Sequence, residues 1–393
     1  VAALAVAGLI VAVLLVVIGP SVKPTVPPPR VRVVLPASLT VPGVPPKLPW
    51  PSTGQAAVAI PSLGYTAQSG PEHAVPVASM TKVMTAYVVL EDHPLATGKN
   101  GPSITVTASD AADYTTDLDT TQASVALAAG EVFTERQALE GLLVHSANDL
   151  AFTLAQWDAG SVPAFVAKMN ETAARLGMTD THFADASGYT PQSVSTPADL
   201  LKVAAAAMAL PAFAEAVSMP VVTLPQPSGE VSTYTPLLTG GTDGVPGVVG
   251  VKSGYTTAAG GGDILAYRTS AFDEPLTVLA AVTTQRGPTV LDAAGNIDLA
   301  VARAAVSSVV RVTVSHSGAP MATVTSRGLA VPAVGTAGAT VLAEPGQDVK
   351  QIMVVTRRPR DGERAGSLLG TALYSLGEQQ VAVPVRMARR LPA

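Results

Sequence analysis

One helix in this chain has almost no face to give to water. In the stretch Val75-Pro-Val-Ala-Ser-Met-Thr-Lys-Val-Met-Thr-Ala-Tyr-Val-Val-Leu90 the apolar positions are Met80, Val83, Met84, Tyr87, Val88 and Leu90. Such a helix has to be central and buried, and the rest of the fold must wrap around it. Its start carries Ser79 and, three residues on, Lys82. Positions i and i+3 share a helix face, so the lysine can reach the serine hydroxyl. Serine alone is a weak nucleophile. A lysine desolvated enough to lose its proton can serve as its base, and the positive end of a helix favours negative charge developing there.

The 393 residues are 48% hydrophobic and 13% charged, which is material for two or three domains. A net charge of −5 without a basic run in the folded part gives no footprint for nucleic acid. Cysteine is absent, so disulfides and thiol catalysis are excluded. Residues 1–18 are uniformly apolar and, at 1.5 Å rise each, would span about 27 Å as a helix. They read as a single-pass membrane anchor holding an extracytoplasmic domain, or as a secretory signal core that is cleaved. Residues 19–52 contain eleven prolines and read as an extended, semi-rigid linker.

From residue 53 helical and strand patterns alternate. Gln55 to Ile60 and Tyr65 to Gln68 read as a hairpin ahead of the buried helix, and Ser109 to Thr121 as a polar, acid-rich loop without a calcium-loop pattern. Thr134-Glu-Arg-Gln137 is a capping box opening a helix through Leu143, and Asp149 to Trp157 begins another. Between them Ser146 and Asn148 can point into one cleft, the serine as proton relay and the asparagine as amide donor; a simple helix cap is the alternative for Asn148. His145 has no acidic partner in sequence, and the five histidines form no zinc spacing, so neither metal nor cofactor is expected. Two more helices, around Phe165–Leu176 and from Thr196 to Leu210, flank the loop 182–189. Three strands follow, Val248 to Val251, Asp263 to Thr269 and Leu276 to Thr283, then a covering helix Ile297 to Val309. At the exit of the first strand, Lys252-Ser253-Gly254-Tyr255 offers a cation, a hydroxyl and a glycine that lets backbone approach a ligand.

Each of these motifs is short enough to arise by accident, but Ser-x-x-Lys, Ser-x-Asn and Lys-Ser/Thr-Gly in this order form one known set. With Val77-Ala-Ser-Met-Thr-Lys-Val-Met-Thr-Ala, Leu142-Leu-Val-His-Ser-Ala-Asn-Asp149, Lys168-Met-Asn170, Leu176-Gly-Met178 and Lys252-Ser-Gly-Tyr-Thr-Thr-Ala-Ala-Gly260, the chain resembles the serine-type D-alanyl-D-alanine carboxypeptidases. These are the low-molecular-mass penicillin-binding proteins of peptidase family S11. The resemblance covers roughly residues 53 to 310 and departs from the family in having Ser253 where threonine is usual. It implies an α/β (α+β) fold of the β-lactamase/transpeptidase type, with an antiparallel sheet flanked by helices.

It implies further that Ser79 attacks the carbonyl between two terminal D-alanines of a peptidoglycan pentapeptide, with the amides of Ser79 and Tyr255 holding the oxyanion. Lys82 would be the base, with Ser146 and Lys252 relaying the proton. Asn148 would hold the peptide amide and Ser253 beside Gly254 the terminal carboxylate, with Arg286 a further candidate for it. β-Lactams would acylate Ser79. Class A β-lactamases deacylate with a glutamate in a Glu-x-x-x-Asn loop, and none of Asn100, Asn148, Asn170 or Asn296 has a glutamate four residues before it. An endopeptidase or a β-lactamase on the same scaffold and a non-catalytic wall-binding protein stay open as alternatives. The expected domains are thus 1–18 anchor, 19–52 linker, 53–310 catalytic and 311–393 a small all-β domain, the last from short alternating runs between Met321 and Val385. Arg357, Arg358 and Arg360 read as a solvated hairpin loop.

Overall fold

A computed structural model describes residues 27–119, 122–238, 240–241 and 244–393. The expected membrane segment at 1–18 lies outside the described residues. Five antiparallel strands form the central sheet, in the order Val248–Thr256, Gly260–Ala271, Glu274–Gln285, Gln55–Ile60, Tyr65–Gln68. Its strands alternate between two buried faces. Ala57, Ala59, Ile264, Ala266, Leu279 and Ala281 pack against the helices on one side. Val58, Ile60, Leu265, Val278 and Ala280 pack on the other against Leu299, Ala302 and Ala305 of the long helix Val290–Ser308. The α/β architecture, a sheet sandwiched between helical layers, is therefore the one the family resemblance implied.

The helix Lys82–Asp92 lies in the helical layer and buries every residue from Lys82 to Leu90. Ser79 itself sits in the preceding 3-10 turn, Ala78–Thr81, so Lys82 opens the α-helix. The expected polar loop at 109–121 is instead a helix, Ala108–Asp119, whose start is tied by Thr107 and Asp110. The Asp110 carboxylate accepts from the Thr107 amide at 2.7 Å and the Thr107 hydroxyl accepts from the Asp110 amide at 3.2 Å. This reciprocal cap is legible as Thr-x-x-Asp, and the acid-rich composition masked it. The three sheet strands run longer than their sequence signals, so Lys252-Ser-Gly lies inside a strand, not at its exit.

The C-terminal region is all β, with a seven-stranded sheet and a separate two-stranded pair, Val310–Ser315 with Ala339–Ala343. The expected linker is corrected here. Arg30–Val33 forms one edge of that sheet, paired with Pro320–Ser326, and Ser38–Thr40 forms the other, paired with Asp348–Val355. Proline lacks an amide donor, which confines it to edges and joints, and the segment's two longest proline-free runs are the ones that pair. The two regions meet where Gly64 and Gly377, both at positive φ, touch. A Cβ on Gly377 would lie 2.3 Å from the Gly64 nitrogen. Glu378 N donates to Ser62 O at 3.1 Å and Gln347 Nε2 to Leu63 O at 3.0 Å across the same seam.

Among the described residues no single helix is long and apolar enough to cross a membrane. Pro197–Met208 and Pro211–Val217 satisfy the length and composition only as a pair bent by 111°, and they contribute Leu200, Val203, Ala207 and Phe213 to the core.

Candidate active site

A cleft of about 510 Å³ opens beside Ser79 and is lined also by Gln122, Ala123, Asn148, Tyr189, Tyr255 and Thr257. Three parts of the chain build it. The first is the 3-10 turn, which presents Ser79 from the rim of the core. Lys82 is fully buried and donates from Nζ to Ser79 Oγ at 2.9 Å, to Asn148 Oδ1 at 2.5 Å and to the Ser187 carbonyl at 2.9 Å. Two of these acceptors are carbonyl oxygens, which have no proton to give. When the amine is neutral its two N–H bonds belong to those carbonyls, which leaves the lone pair facing the Ser79 hydroxyl. The burial of Lys82 and these fixed acceptors thus direct its remaining bond toward one oxygen, Ser79 Oγ.

The second part is the bend between helices Glu135–Leu143 and Asn148–Ala159. The expected capping box at Thr134 and Gln137 is present. Ser146 is buried and held at φ +62°, a left-handed conformation that costs a residue bearing a Cβ about 1–2 kcal/mol. Asn148 opens the second helix, and its amide nitrogen bonds Gln122 Oε1 while its backbone N donates to Ala123 O at 2.8 Å. Asp149 accepts from the Val125 amide at 3.0 Å, so segment 122–125 is fastened to the bend. His145 does not join the cleft; its Nδ1 lies 3.1 Å from Ser232 O and its ring against Tyr234.

The third part is the edge strand Val248–Thr256. Gly254 passes so close to Ser79 that a Cβ there would lie 2.8 Å from the Ser79 amide nitrogen. Lys252 is fully buried with Nζ donating to Ser253 O at 2.9 Å. Burial pushes it down to about 8, and the nearby Asp263 opposes that shift. Asp263, across the ladder from Ser253, is buried and held well above the usual carboxylate range by desolvation, which Lys252 opposes. Ser253 Oγ donates to Tyr234 O at 2.8 Å. Arg286 donates to the carbonyls of Thr257 and Ala258 at 2.9 and 3.0 Å, so it clamps the turn that forms one wall of the cleft.

Ser79, Asn148 and Tyr255 line the cleft together, Lys82 lies behind them, Gly254 lies against the Ser79 amide, and Arg286 braces the wall from outside. Sequence reasoning placed a loop at 182–189 but gave its Ser187 and Tyr189 no part in the site. It is shaped by Asp185, which accepts from the amides of Gly188 and Thr190 at 2.6 and 2.9 Å. Gly188, at φ +80°, lets it pass the Ser79 turn, because a Cβ would sit 1.8 Å from Ala78 O. Asn170 secures the loop by exchanging two hydrogen bonds with the Phe183 backbone, at 2.8 and 2.9 Å. A backbone carbonyl acting on Lys82 leaves no side-chain signal, though Asp-x-x-Gly does announce the turn.

Comparison with known proteins agrees with this geometry. The chain is 38% identical over 189 residues to the D-alanyl-D-alanine carboxypeptidase DacB2 of Mycobacterium tuberculosis, covering 47% of this chain and 59% of that relative. It is 35% identical over 130 residues to a D-alanyl-D-alanine endopeptidase of Haemophilus influenzae, covering 33% of this chain and 41% of the other. The chain therefore spans about half the length of these curated relatives. Among solved structures, a putative penicillin-binding protein homolog from Mycobacterium tuberculosis superposes with a TM-score of 0.52 at 31% identity, over 66% of this chain and 92% of that one. A peptidoglycan synthesis regulatory factor from Streptococcus pneumoniae shares the fold over 86% of this chain and 99% of its own, with a TM-score of 0.62 at 19% identity. The sequence profile of the D-alanyl-D-alanine carboxypeptidases, peptidase family S11, matches residues 66–282, and the chain belongs to that family.

Proposed function

We propose that this protein is a D-Ala-D-Ala carboxypeptidase that removes the terminal D-alanine of peptidoglycan stem pentapeptides through a Ser79 acyl-enzyme. The observation that carries the reading is the buried Lys82 amine, 2.9 Å from Ser79 Oγ and fixed by two carbonyl acceptors. In the first step the Ser79 proton passes to Lys82 as Oγ bonds to the carbonyl carbon of the penultimate D-alanine. The negative charge on the carbonyl oxygen is met by the amides of Ser79 and Tyr255. The peptide C–N bond then breaks, with the proton relayed through Ser146 and Lys252 to the departing amine. Water hydrolyses the ester and restores Ser79. Asn148 contacts the peptide amide with the nitrogen that here bonds Gln122, and Ser253 receives the terminal carboxylate by turning its hydroxyl away from the Tyr234 carbonyl. With Arg286 already committed to two carbonyls, its part is to shape the wall at Thr257 and Ala258.

A β-lactam presents the same acyl carbon and remains attached to Ser79, which makes the protein an antibiotic target. The relative named an endopeptidase supports a second reading, cleavage within cross-linked stems on the same site. Residues 1–18 anchor the chain, with the catalytic region outside the cytoplasm. Purified protein incubated with a pentapeptide and with a cross-linked stem dimer separates the readings. Free D-alanine from the pentapeptide supports the carboxypeptidase, dimer cleavage without D-alanine release supports the endopeptidase, and neither product refutes both.

A further inference from the structure

The protein's charge is divided unevenly between its two regions. Residues 27–40 and 311–393, which build the C-terminal sheet, carry twelve Lys and Arg against five Asp and Glu, a net of +7. Residues 41–310 carry eleven against 24, a net of −13. The cations are also placed. One face of the seven-stranded sheet covers the buried cluster around Val324, Ala333, Tyr374 and Val385, and the opposite face is bare. On that bare face Ile352, 60% exposed, stands directly across from Leu373, 41% exposed, with Val354 two residues along its strand. Alternation puts Lys350 and Arg386 on the same face. Arg30 and Arg32 extend it at the far edge, opposite the outward Thr325 and Thr323. The only acid in these seven strands, Asp348, lies at a strand end and accepts from Thr40 Oγ1 at 2.5 Å.

We infer that this face docks on an anionic lipid surface. A soluble anionic polymer would be satisfied by the cations alone, whereas exposed isoleucine and leucine beside them match the boundary between headgroups and acyl chains. Connectivity places the face correctly for that. The sheet's first strand starts at Arg30, only eleven residues beyond the apolar stretch 1–18, and eleven extended residues reach about 35 Å. The strand pairing found in 30–40 thus shortens the tether and brings the sheet toward the bilayer. The acidic catalytic body, repelled by the same surface, is turned away from it. This rests on the reading of residues 1–18 as an anchor, and the test separates the two.

The chain contains no cysteine, so one introduced thiol reports one place. Full-length Ile352→Cys, carrying an environment-sensitive fluorophore, is reconstituted in vesicles of phosphatidylcholine and of phosphatidylcholine with phosphatidylglycerol. Co-flotation with both kinds of vesicle reports the anchor. Docking is read separately, as a blue shift and quenching by brominated lipid that occur only with phosphatidylglycerol and weaken at high salt. A label at Ser103→Cys, exposed on the catalytic body, stays water-like. Each cation near such a surface is worth roughly fivefold, so combining Arg30→Gln, Arg32→Gln and Lys350→Gln lowers docking about a hundredfold, with penicillin labelling unchanged. The inference is overturned if the label at 352 behaves alike in both vesicles while the protein floats with them. It is equally overturned if soluble polyphosphate alone produces the same shift.

Discussion

Replacing Asn148 by aspartate tests how Lys82 is held, because the exchange keeps the shape of the side chain and changes only its charge. The Asn148 oxygen lies 2.5 Å from Lys82 Nζ. A full negative charge at that distance interacts with an ammonium by ~7 kcal/mol at an effective dielectric constant of about 20. Most of this is offset by the contact the amide already made and by desolvating the new carboxylate, leaving ~2 kcal/mol in favour of the protonated amine. The other carboxylate oxygen is accommodated by rotation of the Gln122 amide, which now donates where it accepted. Acylation needs the neutral amine. The acid limb of the rate profile should therefore rise by about 1.5 pH units, and the rate at pH 7 should fall about thirtyfold. The assay is the second-order rate of labelling by a fluorescent penicillin across pH, with thermal melting as a control for folding. The basic limb should stay in place, narrowing the bell from one side. An unshifted acid limb, or one moved to lower pH, would refute the argument that Asn148 and Ser187 aim the lone pair of Lys82 at Ser79.

Gly254→Ala should keep the fold and slow penicillin acylation at least a hundredfold, since its Cβ would press on the Ser79 amide from 2.8 Å, and a misplacement of about 1 Å costs that much; stopped-flow labelling reads it. Lys252 is pushed down to about 8 mainly by burial, against the pull of Asp263, so acylation should decline on the alkaline side near pH 8. Asp263→Asn removes the opposing charge and should move that decline to lower pH, which a rate profile would show. Glu344 lies buried near the junction of the two regions, and burial raises it to about 7 from 4.5, with Ser308 opposing. A raised acid contributes stability that is complete below the unfolded value and is lost as pH rises through 7. Glu344→Gln should thus stabilise the fold at pH 8 by on the order of 2 kcal/mol, read as a raised melting temperature, and leave it nearly unchanged at pH 4.

Much of the catalytic half is legible in the sequence because its signals are local. Apolar periodicity marks the Lys82–Asp92 helix, and Thr134 with Gln137 announces the next one. The three motifs name Ser79, Asn148 and Lys252, but only the fold shows their distances. What stays hidden depends on pairing across long separations. Arg30–Val33 becomes a strand because Pro320–Ser326 offers it an edge almost three hundred residues later, and proline content alone suggested a free spacer. The Ser187 carbonyl reaches Lys82 through a loop fixed by Asp185 and by the absence of a side chain at Gly188. The Ser253 hydroxyl is likewise turned toward a remote carbonyl, that of Tyr234, which no motif contains.

The central claim is that Ser79 is the nucleophile and Lys82 its base, and one measurement bears on it most directly. Intact protein exposed to a penicillin is weighed and then digested, for the wild type and for Ser79→Ala. The account expects one covalent adduct per chain, on the peptide that contains Ser79, and none on the variant. A wild type that stays unmodified, or a variant labelled to the same extent, would contradict it.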